Sequence, residues 1–315
     1  MKKILITGGM GFIGSNLTMR LIHMGYHVTI VDNLYSSKIK QFKDADDHNY
    51  KFINSRLKDI EYQPYDFIYN LACPASPPVY QKDEIFTIET STIDYVHLLN
   101  LALKFDIPIY HSSTSEVYGD PNVHPQTESY LGNVSSWGPR ACYDESKRLA
   151  ETLSFIYKNK YNLNIKVGRI FNTYGPYMDI NDGRVISNFI TQALKNEDMT
   201  VYGDGTQTRS LCFIDDLVDL LILIFENDII AEKPFNMGNP SEISVLEIAE
   251  TIKKMTNSKS KIIFKDLPED DPKVRQPDIS YINSLSDWKP KVPLSQGLNT
   301  TIHYFDKVLN NIEPK

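Results

Sequence analysis

The chain has 315 residues, 41% apolar and 23% charged, with a formal net charge of −7. This is the profile of a soluble globular protein of two domains, or of one large domain with an excursion. It excludes the basic footprint of a nucleic-acid binder, no run reaches the ~18 apolar residues of a membrane span, and an anionic ligand would have to be met by local cations against the global sign.

Lys3-Ile4-Leu5-Ile6-Thr7 is a short continuous apolar run, the pattern of a buried parallel strand. Its basic start resembles a signal peptide, but Gly8-Gly9 end the run far short of an h-region. Gly8-x-x-Gly11-x-x-Gly14 follows, then a helix over residues 15–22, a strand over 27–31, and Asp32. Such a turn lets backbone N–H groups approach a pyrophosphate, and the helix N-terminus adds positive potential. Asp32, eighteen residues after Gly14, stands where a carboxylate accepts from a ribose hydroxyl. It would repel a 2′-phosphate, so NAD is expected rather than NADP; Lys38 is the one nearby cation arguing otherwise. The residues expected against the cofactor are Gly8, Gly11, Phe12, Ile13, Gly14, Asp32 and Asn33, with Leu71, Ala72, Tyr143 and Lys147 from later elements.

Residues 65–72 read as a further strand. Cys73-Pro74-Ala75-Ser76-Pro77-Pro78 is barred from helix and central strand, so it is expected to be a loop at the strand's C-terminal end, where open α/β sheets bind ligands. Residues 85–104 have a helical period, and 109–113 form the next strand. Thr114-Ser115-Glu116 leaves that strand with two hydroxyls and a carboxylate, suited to moving a proton or placing a water, or else to anchoring the loop. Three cysteines (Cys73, Cys142 and Cys212) have no metal spacing, and their odd number points to a reducing compartment, so a cytoplasmic protein without a metal is expected.

Tyr143-Asp144-Glu145-Ser146-Lys147 puts a phenol and an ammonium on one face of a helix that opens near Cys142. A tyrosine with its reference pKa near ~10 is a poor base at neutral pH, and a neighbouring ammonium favours the phenolate. The pair is a candidate general base toward a sugar or alcohol hydroxyl. Alone, the pentad also fits a solvated helix face; the dinucleotide motif upstream is what raises it above that.

After the strand at 164–170 the regular alternation of strand and helix stops. The expected fold class is α/β: a doubly wound parallel sheet over residues 1–168, joined again by about 211–235, with a smaller substrate domain from 169–210 and 236–315. In that second part Arg184 precedes a helix over 185–194, Tyr202 ends a short strand, Gln207 and Arg209 lie on a loop, and Ser244 caps a helix over 245–255, while a helix over 215–225 returns to the first domain. Residues 270–278 form a loop carrying Arg275. Three arginines on loops of one excursion, Arg184, Arg209 and Arg275, suggest an anion site, although each singly fits a solvated charge.

The glycine spacing together with Tyr143-x-x-x-Lys147 resembles the short-chain dehydrogenase/reductase superfamily. Longer runs narrow this. Ala72-Cys73-Pro74-Ala75-Ser76-Pro77, Thr114-Ser115-Glu116-Val117-Tyr118-Gly119-Asp120-Pro121, Gly138-Pro139-Arg140-Ala141-Cys142-Tyr143-Asp144-Glu145, Arg169-Ile170-Phe171-Asn172-Thr173-Tyr174-Gly175-Pro176 and Asn181-Asp182-Gly183-Arg184-Val185 are similar to the UDP-glucuronate decarboxylases, as is the loop from Asp270 to Asp278. The resemblance implies a Rossmann fold, tightly bound NAD and a UDP-sugar substrate. It implies Tyr143 as base on the C4 hydroxyl, and Lys147 tuning it and binding the nicotinamide ribose. Thr114, Ser115 and Glu116 would serve proton transfer and orientation, and Arg275 would face the sugar carboxylate. Asn172, Arg184, Tyr202, Gln207 and Arg209 would hold the UDP portion. It also implies a homodimer through the helices near 85–104 and 142–160, to which Val96, Leu99, Ala102 and Leu103 lend apolar periodicity. The chain departs from the family pattern at Glu89, where Lys is usual, and at Arg56, where an Asp contacts adenine. Tyr177 and Leu131 replace the usual Arg and Trp. The competing expectations are a nucleotide-sugar 4,6-dehydratase, which carries Asp-Glu where Ser115-Glu116 stands, a 4-keto-pentose-forming decarboxylase that releases NADH, and an NAD-sensing binding module.

Overall fold

Strands that are apolar along their whole length must be covered on both faces. In the computed structural model, which describes residues 1–37, 49–267 and 274–310, they are. β1 (Lys3–Thr7), β2 (His27–Asp32), β3 (Tyr50–Asn54), β4 (Phe67–Asn70), β5 (Ile109–Thr114) and β6 (Ile165–Ile170) form one parallel sheet with the strand Phe235–Met237. Its order is Phe235–Met237, β6, β5, β4, β1, β2, β3. Alternate side chains of β1 enter opposite cores: Ile4 and Ile6 join Leu17, Leu21, Leu217 and Leu221 on one face. Leu5 joins Leu98, Leu99, Ala102 and Ala150 on the other. The strand order reverses at β1, whose neighbours are β2 and β4. A crevice at the C-terminal ends of the strands is therefore built into the topology at that point.

The α-helices among the described residues are α1 (Phe12–His23), α2 (Pro77–Tyr80), α3 (Glu84–Ser91), α4 (Ile93–Phe105), α5 (Ala141–Tyr161), α6 (Val185–Lys195), α7 (Ile214–Glu226), α8 (Val245–Met255), α9 (Ser280–Leu285) and α10 (Leu294–Leu309). Ser244 caps α8 in a capping box with Glu247. Four sequence-based expectations are corrected. The helix expected over 85–104 is two helices, broken at Thr92 with φ −120 and ψ −69. The Pro77-Pro78 pair does not prevent helix but starts the single turn of α2, because at the first helical positions the missing N–H has no intrahelical acceptor to lose. α1 begins at Phe12 rather than Ser15, with Gly14 inside its first turn. β3 was not anticipated: it is the edge strand, half-buried or exposed throughout, so it carries little apolar signal. Lys38 and residues 270–273 lie outside the described residues.

Candidate active site

A cavity of about 750 Å³ opens at the strand ends. Every residue expected against cofactor or substrate lies on its wall: Gly8, Gly11, Phe12, Ile13, Gly14, Asp32, Asn33, Leu71 and Ala72 at one end, Thr114, Ser115, Glu116, Tyr143 and Lys147 in the middle, and Asn172, Arg184, Tyr202, Gln207, Arg209 and Arg275 beyond. These positions are scattered from Gly8 to Arg275 in the chain, and the sheet topology brings them together.

The dinucleotide end is built by backbone geometry. Gly8 takes φ +69, and a Cβ at Gly14 would sit 2.1 Å from the Gly8 carbonyl oxygen. Gly11 differs in degree: a Cβ there would come 3.3 Å from the Gly8 carbonyl oxygen, a tight approach but not the overlap found at Gly14. What the missing side chain leaves bare is the cavity wall beside the first turn of α1, which has no side-chain cap. Uncapped first-turn amides and a bare Gly11 fit a pyrophosphate. Asp32 closes this end. Its carboxylate accepts from Met10 N at 3.0 Å and Leu34 N at 2.8 Å, tying the end of β2 to the glycine turn. Burial pushes its pKa up against these hydrogen bonds.

Tyr143, in the first turn of α5, is buried and stacked on Tyr80, with ring centroids 5.0 Å apart and planes 6° apart. Lys147, one turn on, is also buried and donates to the Ser112 carbonyl at 2.8 Å. Its Nζ is 5.9 Å from the Tyr143 ring centroid. The expectation that Lys147 lowers the phenol's pKa is corrected. Burial, then the Cys73 thiol, hold that proton on well above the ordinary phenol range, and the opposing influence is a hydrogen bond with the Thr114 hydroxyl.

Glu116 lies in the turn after β5, where Thr114 Oγ1 accepts from its backbone N–H at 3.2 Å. Two guanidiniums converge on its carboxylate. Arg275 Nη2 lies 3.3 Å from both oxygens, and Arg140 makes a second, shorter charge-assisted bond. Burial alone would raise the Glu116 pKa, but Arg275 and Arg140 outweigh it and hold the group below the usual carboxylate range. Glu116 is thus an acceptor in this state. Arg275, expected on a loop, is firmly built into the fold. It is 1% exposed, donates to the Gly119 carbonyl at 2.9 Å, and its segment is fastened by Gln126, whose N–H donates to the Gln276 carbonyl at 2.8 Å. Arg184 is held by Asp182, with Nη2 to Oδ2 at 2.7 Å, and Gln207 donates to the Tyr202 carbonyl at 2.6 Å.

Arg140 had no role assigned from sequence, although it stands three residues before Tyr143 in a conspicuous run. The departures at Arg56 and Glu89 meet: Arg56 Nη2 lies 2.9 Å from Glu89 Oε2 and 3.1 Å from Asp94 Oδ1. Tyr177 takes φ +67 on the cavity wall, packed on Tyr304, and Leu131 is 85% exposed.

Asp144 supplies a pH prediction. It is buried, its Oδ1 has no partner among the described residues, and Arg140 Nε is 3.9 Å from Oδ2. Burial first, and Glu116 second, push its pKa from 3.8 up to about 7. Between those values the native state holds a proton that the unfolded chain has released, so this group's contribution falls as pH rises through the window. Asp144→Asn is expected to melt several degrees above the parent on the alkaline side of the window, on the order of 2 kcal/mol, and to converge with it at the acid end. Calorimetric melting across the window checks this.

The Epimerase model, for the NAD dependent epimerase/dehydratase family, matches residues 4–238. The chain is 47% identical to UDP-glucuronic acid decarboxylase 1 of Xenopus tropicalis over 311 residues, 98% of this chain and 73% of that protein. It is 46% identical to UDP-glucuronic acid decarboxylase 6 of Arabidopsis thaliana, over 94% of this chain and 86% of that one. The solved UDP-glucuronic acid 4-epimerase from Bacillus cereus, in complex with UDP-glucuronic acid and NAD, superposes with a TM-score of 0.87 at 27% identity, covering 97% of this chain and 99% of that chain. The chain belongs to the NAD dependent epimerase/dehydratase family, among the UDP-glucuronic acid decarboxylases.

Proposed function

We propose that this protein converts UDP-glucuronate to UDP-xylose and CO₂ by oxidation at C4, decarboxylation and re-reduction at C4. The observation that carries this reading is the Glu116 cluster on the wall of the Tyr143 cavity: one carboxylate between two guanidiniums leaves a net positive site suited to a sugar carboxylate. When bound, NAD supplies the acceptor for the C4 hydride and gives it back.

Tyr143 takes the C4 hydroxyl proton as the ketone forms, with Thr114 holding the phenol oxygen. The C5 carboxylate is then β to a ketone. The C5–C6 bond breaks, CO₂ leaves, and the electron pair passes to the C4 oxygen as an enolate. Tyr143, now protonated, donates to that oxygen, and electrostatic support there is worth most in a buried site. Arg275 orients the leaving carboxylate, and Glu116, held ionised, accepts a hydrogen bond from the water that gives its proton to C5; the hydroxide left behind adds to the released CO₂ and departs as bicarbonate. Lys147 holds the nicotinamide ribose. Asn172, Arg184, Tyr202, Gln207 and Arg209 hold the UDP, residues 169–210 and 236–315 acting as the sugar-binding part beside the NAD-binding part.

Proton NMR of a reaction with UDP-glucuronate and NAD tests the reading. UDP-xylose is expected; the 4-epimer, a 4-keto pentose with free NADH, or no turnover would overturn it. A 4-keto-6-deoxy product from UDP-glucose would favour the dehydratase.

The protein is further proposed to be a homodimer through the helical segments near 85–104 and 142–160, with different apolar side chains at the seam. Leu99 and Ala102 are fully buried in the chain's own core, so their periodicity is already explained. Exposed apolar side chains on these helices include Ile85 and Ile88 on α3, Ile93 at the start of α4, and Leu149, Phe155 and Ile156 on α5, which packs on α3. A twofold pairing would cover them. Light scattering at micromolar concentration should give a dimer for the parent and a monomer for Phe155→Glu; a monomeric parent contradicts the proposal. Three free thiols suit the reducing cytoplasm, where we place the protein. Among the described residues no helix is long and apolar enough to cross a membrane.

A further inference from the structure

We propose that Arg56 reads the purine of NAD, and that it does so by donating to ring and O6-type acceptors, so that the 6-amino group of adenine is not required for binding. Arg56 follows β3, directly beside the end of β2: Asp32 pairs with Asn54, and Ser55 N donates to the Asp32 carbonyl at 3.3 Å. A carboxylate in the position of Asp32 takes the adenosine ribose. The base then lies outward from it, toward the end of β3, where Ser55, Arg56 and Leu57 line the same cavity.

The guanidinium is fixed on three sides. Asp94, 2% exposed, accepts from Nε at 3.4 Å and from Nη2 at 3.1 Å. Glu89 lies 2.9 Å from Nη2, and the guanidinium carbon sits 5.1 Å from the Phe86 ring centroid. The helix break at Thr92 makes this possible. In a continuous helix, residues five apart point about 140° from one another. The break between α3 and α4 lets Glu89 and Asp94 reach one cation. Their two charges hold Nε and Nη2, whereas the two N–H groups of Nη1 have no partner among the described residues. The cavity wall at this position therefore offers donors, not a free carboxylate, because both oxygens of Asp94 are engaged by Arg56.

Arginine recognises a purine through acceptors: O6 and N7 together, or N7 alone. Adenine offers N7 but presents donors at N6; hypoxanthine offers both O6 and N7. NAD and nicotinamide hypoxanthine dinucleotide should therefore compete on at least equal terms here. The full-length protein is equilibrated with an equimolar excess of the two dinucleotides and desalted, and the bound fractions are released and counted by mass spectrometry. The analogue is expected to hold at least half of the sites. Bound NAD exceeding it by more than about threefold, the worth of one ordinary hydrogen bond, overturns the proposal and assigns the base to Asp94 or Glu89. Arg56→Lys keeps a cation against buried Asp94 but loses the Nη1 fork. It should shift the bound ratio toward NAD by about threefold or more, and an unchanged ratio also overturns the proposal.

Discussion

Tyr143→Phe is expected to lower turnover of UDP-glucuronate by about 10³-fold or more, with no reduced nicotinamide formed on the protein in a single turnover. CO₂ cannot leave until C4 is a ketone, since only the ketone accepts the electron pair, so loss of the first base stops every later step. The fold should survive the change. The Tyr80 stack at 5.0 Å involves the ring, and only the phenol oxygen and its Thr114 hydrogen bond are removed. The burial that holds the phenol protonated in the free protein means that the proton must leave as substrate binds, and Lys147, buried and held by the Ser112 carbonyl, is placed to support the negative phenolate then. Stopped-flow absorbance of the nicotinamide reads the outcome directly. Reduction at near the parent rate in Tyr143→Phe would remove Tyr143 from the role of base.

Arg275→Ala is expected to separate the steps. It should leave C4 oxidation within about tenfold of the parent but lower overall decarboxylation by about 100-fold, so that reduced nicotinamide builds up on the protein in a single turnover. Arg275 supplies one of the two cations that contact Glu116, so its loss would remove the group proposed to face the sugar carboxylate and one of the charges that keep Glu116 ionised. It also removes the hydrogen bond to the Gly119 carbonyl that ties the two segments together. A melting curve and the volume-filling variant Arg275→Met separate lost chemistry from lost packing. Equal loss in oxidation and decarboxylation for both variants would make Arg275 a structural residue only.

The parts of this site written in local patterns were legible before the structure. The glycine turn, Asp32 and the Tyr143–Lys147 pair lie on short stretches whose strand and helix signals are strong, because β1, β2, β4, β5 and β6 are inner strands buried on both faces. What was missed lies in pairings between distant segments. Arg140 reaches Glu116 from the preceding residue of α5, and Arg56 meets Glu89 and Asp94 across two elements; neither contact has a periodicity to betray it. β3 escaped notice as a half-exposed edge strand, and the break at Thr92 sits inside an unbroken helical pattern. Leu99 and Ala102 gave a true helical period whose partner was misread: the stripe faces the sheet, and the exposed apolar side chains of these helices include Ile85, Ile88 and Phe155.

The most direct test of the central claim is turnover of UDP-glucuronate in D₂O with the product read by NMR. If C4 is oxidised and reduced by the same hydride while C5 is protonated from water, the product is UDP-xylose carrying one deuterium at C5 and none at C4. A six-carbon product, an unlabelled C5, or deuterium at C4 would contradict it.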